Sequence, residues 1–252
     1  MKEGLKCRFV IEERIPGSFD PEGGGNHYLF RLMGVEDITV VPAGSDMAAA
    51  MQRVADELAA QGRKAYVIAG GGSNALGGLG YVACAQELQQ QMFERGLAFD
   101  HVVVGSGSSG THGGLVAGFL GNRIGIPLTG IGVSRDPAQQ QPLVLKEAQA
   151  VCDLLGLGLT VRPEDVRCVG GYWQPKYSVP NARMVEAVQM LARTEAILLD
   201  PVYTGKVMAG LIGLARGGVF KPGERVLFLH TGGMTSLFPY QGVVLGQEDV
   251  AP

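Results

Sequence analysis

An excess of basic charge is missing from this chain: 21 Lys and Arg stand against 24 Asp and Glu in 252 residues, a formal net charge of −3. Without a basic stripe there is no electrostatic footprint for a nucleic-acid backbone. Long apolar runs are missing as well. None approaches the roughly 20 residues of a membrane-spanning helix, and the Met1-Lys-Glu-Gly-Leu-Lys6 start lacks the apolar stretch of a secretory signal, so the expected location is the cytoplasm. Cysteine is sparse and scattered. Cys7, Cys84, Cys152 and Cys168 form no Cys-x-x-Cys pair and have no histidine at ligand spacing, which suggests neither a disulfide framework nor a zinc site. Four reduced thiols and no metal are expected.

What remains is a chain that is 46% hydrophobic, enough to bury a large core as one domain or two unequal ones. Short apolar strands alternate with helices along it, which predicts an α/β fold with a largely parallel sheet. Strands are expected at residues 6–12, 38–41, 65–69, 102–105, 128–133 and 226–230, and helices at 46–61, 80–94, 146–155, 181–194 and 205–216. Ser45 is the expected N-cap of the first helix and Asn181 that of the fourth. The glycine-rich stretch from Gly70 to Gly80 reads as a crossing point, with residues 1–70 forming a smaller domain and 71–252 a larger one.

The densest signal is His101-Val-Val-Val-Gly-Ser-Gly-Ser-Ser-Gly-Thr-His-Gly-Gly114, where a β-branched strand passes through glycines and hydroxyls into a helix start. Gly105, Gly107 and Gly110 let the backbone turn sharply and approach a ligand. Ser108, Ser109 and Thr111 add hydroxyls to the free amides of the following helix, so an anionic group belongs there. The run is also a literal G-x-G-x-x-G. A dinucleotide site needs an acidic residue at the end of the next strand, however, and that strand ends Gly132-Val-Ser-Arg135. Three hydroxyls suit a terminal phosphate monoester better than a pyrophosphate. The bland alternative is a strand–helix turn that binds nothing.

Two further loops follow apolar segments: Asp200-Pro-Val-Tyr-Thr-Gly-Lys206 after residues 196–199, and His230-Thr-Gly-Gly233 after residues 226–229. In open α/β sheets such loops converge at the carboxyl ends of strands, where ligands gather. Singly, each has an ordinary reading, with Tyr203 a half-buried tyrosine and Lys206 a structural ion pair.

Together with Gly71-Gly-Ser-Asn-Ala-Leu-Gly-Gly-Leu-Gly-Tyr81 and Leu191-Ala-Arg193, these segments resemble the D-cysteine desulfhydrase and 1-aminocyclopropane-1-carboxylate (ACC) deaminase family of pyridoxal-phosphate enzymes over essentially the whole chain. The resemblance implies a two-domain fold like the tryptophan synthase β subunit, with two open parallel-sheet domains, the cofactor lying between them, and a homodimer. It implies that Ser108, Ser109, Gly110 and Thr111 hold the cofactor phosphate and that Thr231, with Gly232, meets the pyridine nitrogen. Tyr203 stands over a small amino-acid substrate, with Tyr177 nearby.

The resemblance also separates branches. Ring-opening deaminases look different at two places, with glutamate where this chain has Thr204 and leucine where it has Thr231, so both threonines are expected to belong to the cofactor surroundings of a desulfhydrase. The implied reaction is loss of the α-proton and β-thiol of D-cysteine, giving pyruvate, sulfide and ammonia. Gly44-Ser-Asp-Met47 resembles the cysteate sulfo-lyase branch, which stays open, as does a non-catalytic protein binding a phosphate ester.

Members of that family carry near their start a Gly-Gly-Asn-Lys segment, whose lysine forms the Schiff base, and a Ser-Asn-His segment; this chain has neither. Its lysines are Lys2, Lys6, Lys64, Lys146, Lys176, Lys206 and Lys221, none in that setting. The expectation is an N-terminally incomplete copy, close to inactive, since the missing group would be both anchor and general base.

Overall fold

The computed structural model describes residues 2–250. It divides into two compact units, one running to Gly70 and the other from Gly71. In the first, β1 (Arg8–Glu13) and β2 (Asp37–Pro42) pair in parallel, Phe9 opposite Ile38 and Ile11 opposite Val40. Helix α1 (Asn26–Leu32) brings Phe30 onto Phe9, ring centroids 4.3 Å apart. Helix α2 (Met47–Ala60) buries Ala50, Val54 and Leu58, one every four residues on a single stripe. Its N-cap is Asp46, which accepts from the Ala49 amide, rather than Ser45, whose hydroxyl turns back to the Pro42 carbonyl.

The second unit is built on four parallel strands in the order β5-β4-β3-β6, where β3 is His101–Ser106, β4 Leu128–Gly132, β5 Arg167–Val169 and β6 Val226–Phe228. Strand β3 reads as an unbroken apolar run because both of its faces are covered. Val102 and Val104 enter a cluster with α3 (Ala75–Arg95), α4 (Gly110–Gly121) and α5 (Pro137–Leu154), while Val103 points the other way, toward Ile131 and Val207 of α7 (Thr204–Arg216). Helix α6 (Ala182–Glu195) packs on α7 through Met184, Ala187 and Val188, and the short α8 (Gln241–Val244) ends the chain's regular structure.

Close backbone approach shapes the layer beneath the sheet. A Cβ on Gly114 would lie 2.5 Å from the Gly78 carbonyl and one on Gly118 2.7 Å from Ala85 Cβ, so α4 nests against α3 only because those positions carry no side chain. On the sheet side, a Cβ on Gly130 would fall 2.2 Å from Nδ1 of the buried His112 ring.

Differences from the sequence reading have local causes. Residues 65–69 form no strand: none of the described strands pairs with them, and Tyr66 and Ile68 are 75% and 66% exposed. An apolar β-branched run becomes a strand only where a ladder partner exists. Helix α5 begins nine residues before its expected start, with Pro137 in its first turn, and runs through Pro142. Pro142 gives up one backbone donor there, and beside it Gln141 Nε2 ties the helix to the carbonyls of Pro163 and Val166. Helix α3 starts at Ala75 because Asn74 caps it through the Gly77 amide. Asn181 is the N-cap of α6, as read from the sequence. All four cysteines are free, and burial pushes the Cys168 thiol up to about 11.

Gly130→Ala will force a methyl into the His112 ring, and urea unfolding is expected to show a loss of about 1–3 kcal/mol.

Candidate functional site

The chain leaves β3, builds β4 and β5 to one side, and returns to place β6 on the other. The carboxyl ends of β3 and β6 therefore border a switch point where successive connections diverge and leave a crevice. Three loops meet there: residues 106–110 after β3, 199–204 before α7, and 229–233 after β6.

The first loop is the expected phosphate cradle. Ser109 sits at φ 84°, a left-handed turn that swings the chain into α4. The first backbone bond of that helix runs from the Gly113 amide to the Ser109 carbonyl, so the amides of Thr111 and His112 precede the reach of any intrahelical acceptor. Ser73 completes the cradle. Its hydroxyl donates to Ser108 Oγ at 2.8 Å and accepts from the Gly110 amide at 3.0 Å. The Ser109 hydroxyl folds back to the Ser108 carbonyl. Ser108 is exposed, Ser109 buried and Thr111 half-buried.

Glycines in this loop do different work from the one the sequence suggests. A Cβ on Gly105 would be 2.7 Å from Tyr203 Cε1, and one on Gly107 2.4 Å from Tyr203 Oη. Gly110 has Ser73 Oγ at 2.7 Å from the same hypothetical atom. The first two glycines make room for the tyrosine ring and the third for a serine.

Behind the loop lies a polar bracket absent from the sequence reading. Gln140, wholly buried, donates from Nε2 to Ser106 Oγ and to the Gly107 carbonyl, both at 3.0 Å, and Arg135 donates to the same carbonyl at 2.9 Å. These donors hold the Gly107 carbonyl and set a positive charge beside the cradle. His112 Nδ1 lies 3.1 Å from Ser106 Oγ, and its Nε2 has no partner; burial pushes its imidazole down to about 4.

Asp200 organises the second loop. Its carboxylate accepts from the amides of Val202, Tyr203 and Thr204 and from Thr204 Oγ1, which also accepts from the Asp200 amide. Thr204 is 2% exposed, so its hydroxyl is committed to starting α7 and does not open onto the crevice. Tyr203 shares an apolar cluster with Tyr177 and Tyr172, and burial, then the neighbouring Tyr177, Tyr81 and Asp200, raise its phenol well above the ordinary range. Lys206, read as half of an ion pair, is fully buried and donates instead to the backbone carbonyls of Trp173 and Lys176 at 2.8 and 2.9 Å. Burial pushes its ammonium down to about 8.

The third loop is pinned by His230, whose Nε2 donates to the Leu198 carbonyl, leaving Nδ1 to accept from the Gly232 amide. Gly233 lies directly on Asp200, with a hypothetical Cβ 2.7 Å from Oδ1, so Thr231 and Gly232 are exposed beside the start of α7. Sequence reasoning thus named the loops but missed Ser73, Gln140 and Asp200, and considered Arg135 only as a partner for a 2′-phosphate, whereas it donates to the Gly107 carbonyl. Only Ser73 had a signal, in the Gly-Gly-Ser-Asn run before α3; the others act through backbone groups that no residue pattern displays.

The cradle fits a phosphate group. It offers four hydroxyls and first-turn amides, has Arg135 behind it, and includes no carboxylate between residues 105 and 114. No helix among the described residues is long and apolar enough to cross a membrane, and no group of them could hold a metal ion.

Comparison with known proteins agrees with this chemistry. Residues 1–232 match the family described as pyridoxal-phosphate dependent enzyme. D-cysteine desulfhydrases of Salmonella newport and Salmonella heidelberg are each 41% identical over 240 residues, 95% of this chain and 72% of theirs. The crystal structure of an ACC deaminase homologue superposes with a TM-score of 0.85 at 32% identity, covering 98% of this chain and 72% of its own, which bears out the expected fold. O-ureido-L-serine synthase, at 19% identity and a TM-score of 0.59 over 94% of this chain and 69% of its own, shares the fold.

Between pH 6.5 and 5, a buried neutral His112 lets the unfolded chain bind the extra proton, so stability falls as pH falls. The expected loss over that interval is roughly 1.5 kcal/mol, read by urea unfolding at each pH and absent in H112N.

Proposed function

Because this chain belongs to the pyridoxal-phosphate dependent enzyme family, we propose that it holds the cofactor by the cradle at residues 108–111 and is built for α,β-elimination from D-cysteine, releasing sulfide, pyruvate and ammonia. The cradle itself carries the reading. Ser108, Ser109, Gly110 and Thr111 hold the phosphate, helped by the Ser73 hydroxyl and the charge of Arg135. Bound there, the cofactor's electron-poor ring supplies the sink that lets an α-proton leave.

The chain's own groups do the rest. Thr231 and Gly232 lie beside the start of α7, where a hydroxyl meets the pyridine nitrogen without charging it as a carboxylate would. Thr204 contributes through Asp200, fixing the loop that carries Tyr203. The half-buried Tyr203 keeps its phenolic proton, which suits it to protonate a leaving thiol or to position the substrate, with Tyr177 beside it. Threonines at 204 and 231 favour desulfhydration over ring opening; cysteate, losing sulfite, is the nearest second substrate. The expected setting is a homodimer in the cytoplasm, on the strength of the family likeness.

No lysine is left for a covalent anchor in the larger unit. Lys206 is engaged with two carbonyls, and Lys146, Lys176 and Lys221 lie outside the three loops. Binding by the larger unit's own residues is therefore expected to be non-covalent, and turnover without a positioned base lower by about 10²–10⁴-fold.

Two measurements on the purified chain test this. Pyridoxal phosphate is expected to bind at least roughly tenfold more tightly than pyridoxal, and S109A/T111V to erase most of that difference, since hydrogen bonds to a charged group contribute about 1.5–3 kcal/mol each. Borohydride reduction followed by mass mapping should find no single modified lysine. Equal affinities for the two ligands would overturn the cradle, and one stoichiometric adduct would overturn the non-covalent reading.

A further inference from the structure

Residues 171–178 join β5 to α6 without regular structure, yet their backbone carbonyls are held one after another by side chains from elsewhere. Arg183 donates to Gly171, Asn181 Nδ2 to Tyr172 and Gln174, Lys206 Nζ to Trp173 and Lys176, and the Tyr240 hydroxyl to Ser178. Of these donors Lys206 alone is a fully buried cation. Burying an ammonium is costly unless its protons are accepted, and here no carboxylate accepts them. A methionine would fill the same space beside α7 without the cost of a buried charge. This one spends its charge on one loop.

That loop carries Tyr177, which lies in the same apolar cluster as Tyr203, and Trp173, whose indole donates to Asp136 Oδ1 at 3.1 Å. We propose that Lys206 is a positioning residue: its ammonium pins residues 173–176 to the start of α7, so that Tyr177 and Tyr203 are held as a pair at the mouth of the crevice. Both tyrosines then depend on adjacent residues of one helix start, Tyr203 through its own backbone and Tyr177 through the Lys206 pin. The relevance of the pair to catalysis rests on the function proposed above; the pin itself does not.

Trp173 is the chain's single tryptophan, so its emission reports on this loop without cofactor or turnover. In K206M the two charge-assisted bonds are gone while the aliphatic stem remains. The fraction of molecules with the loop open should rise by at least roughly tenfold, seen as a red-shifted Trp173 emission and stronger acrylamide quenching with far-UV circular dichroism unchanged. M208A, which removes a buried side chain two residues along the same helix, serves as the destabilised control and is expected to leave both signals at the wild-type value. An unchanged Trp173 signal in K206M, or an equal change in M208A, would overturn the proposal.

Should K206M fail to fold, the wild-type protein still decides. Under pulsed acetylation with acetic anhydride the exposed Lys176 and Lys221 should be labelled and Lys206 spared. Labelling of Lys206 at the rate of the other two would show that the pin is not made. Neither readout involves pyridoxal phosphate, so the pin can fail while the cradle stands, and the reverse.

Discussion

The contact on which the site depends is the face of Tyr203 lying against the backbone of Gly105 and Gly107. A methyl at either glycine would overlap the ring, and a smaller residue at 203 would leave a trench between β3 and α7 where the apolar layer now closes. Because the ring rests on peptide groups, the loop after β3 has one shape available to it. The carbonyl of Gly107 is turned back to Arg135 and Gln140, and the first-turn amides of α4 are left facing out. The cradle proposed for an anion thus takes its shape from packing.

The same economy appears in how charge is used beneath the site. Arg135, Asp200 and Lys206 are bonded to backbone groups, and none of the three forms an ion pair among the described residues. A carboxylate receiving three amides fixes a turn more tightly than one salt bridge would, since each bond has its own direction. The ion pairs that do occur, such as Arg63 with Glu36 and Arg216 with Glu186, lie at the surface and contribute little to stability. The charges beneath the site thus act on loops rather than on one another.

This explains which parts were legible in the sequence. Strand β3 and the cradle after it stand out because β-branched residues running into glycines and hydroxyls have few other meanings. The caps Asn74 and Asn181 follow a local rule, although only the second was read in advance. Residues 65–69 misled, since strand character is a property of a pair and the chain alone shows one member. The start of α5 was hidden by Pro142, which helices seldom carry so far inside. Gln140 and Asp200, and the role of Arg135, were hidden for a deeper reason: each acts on a peptide group brought near by the fold, and peptide groups leave no trace in residue spacing.

Thr204 shows why a family pattern needs geometry beside it. By resemblance alone it stood for a branch of the family; as a side chain it is buried and bonded twice to Asp200. Its influence on chemistry must therefore pass through the loop that Asp200 holds, by way of the position of Tyr203 and the seat of Gly233. A glutamate at that position would confront the Asp200 carboxylate at hydrogen-bond distance, two like charges in a buried site, and one of them would have to take a proton or move away. The threonine thus goes with this arrangement of the loop. In the function proposed above, preference for a reaction becomes a choice between two ways of starting α7.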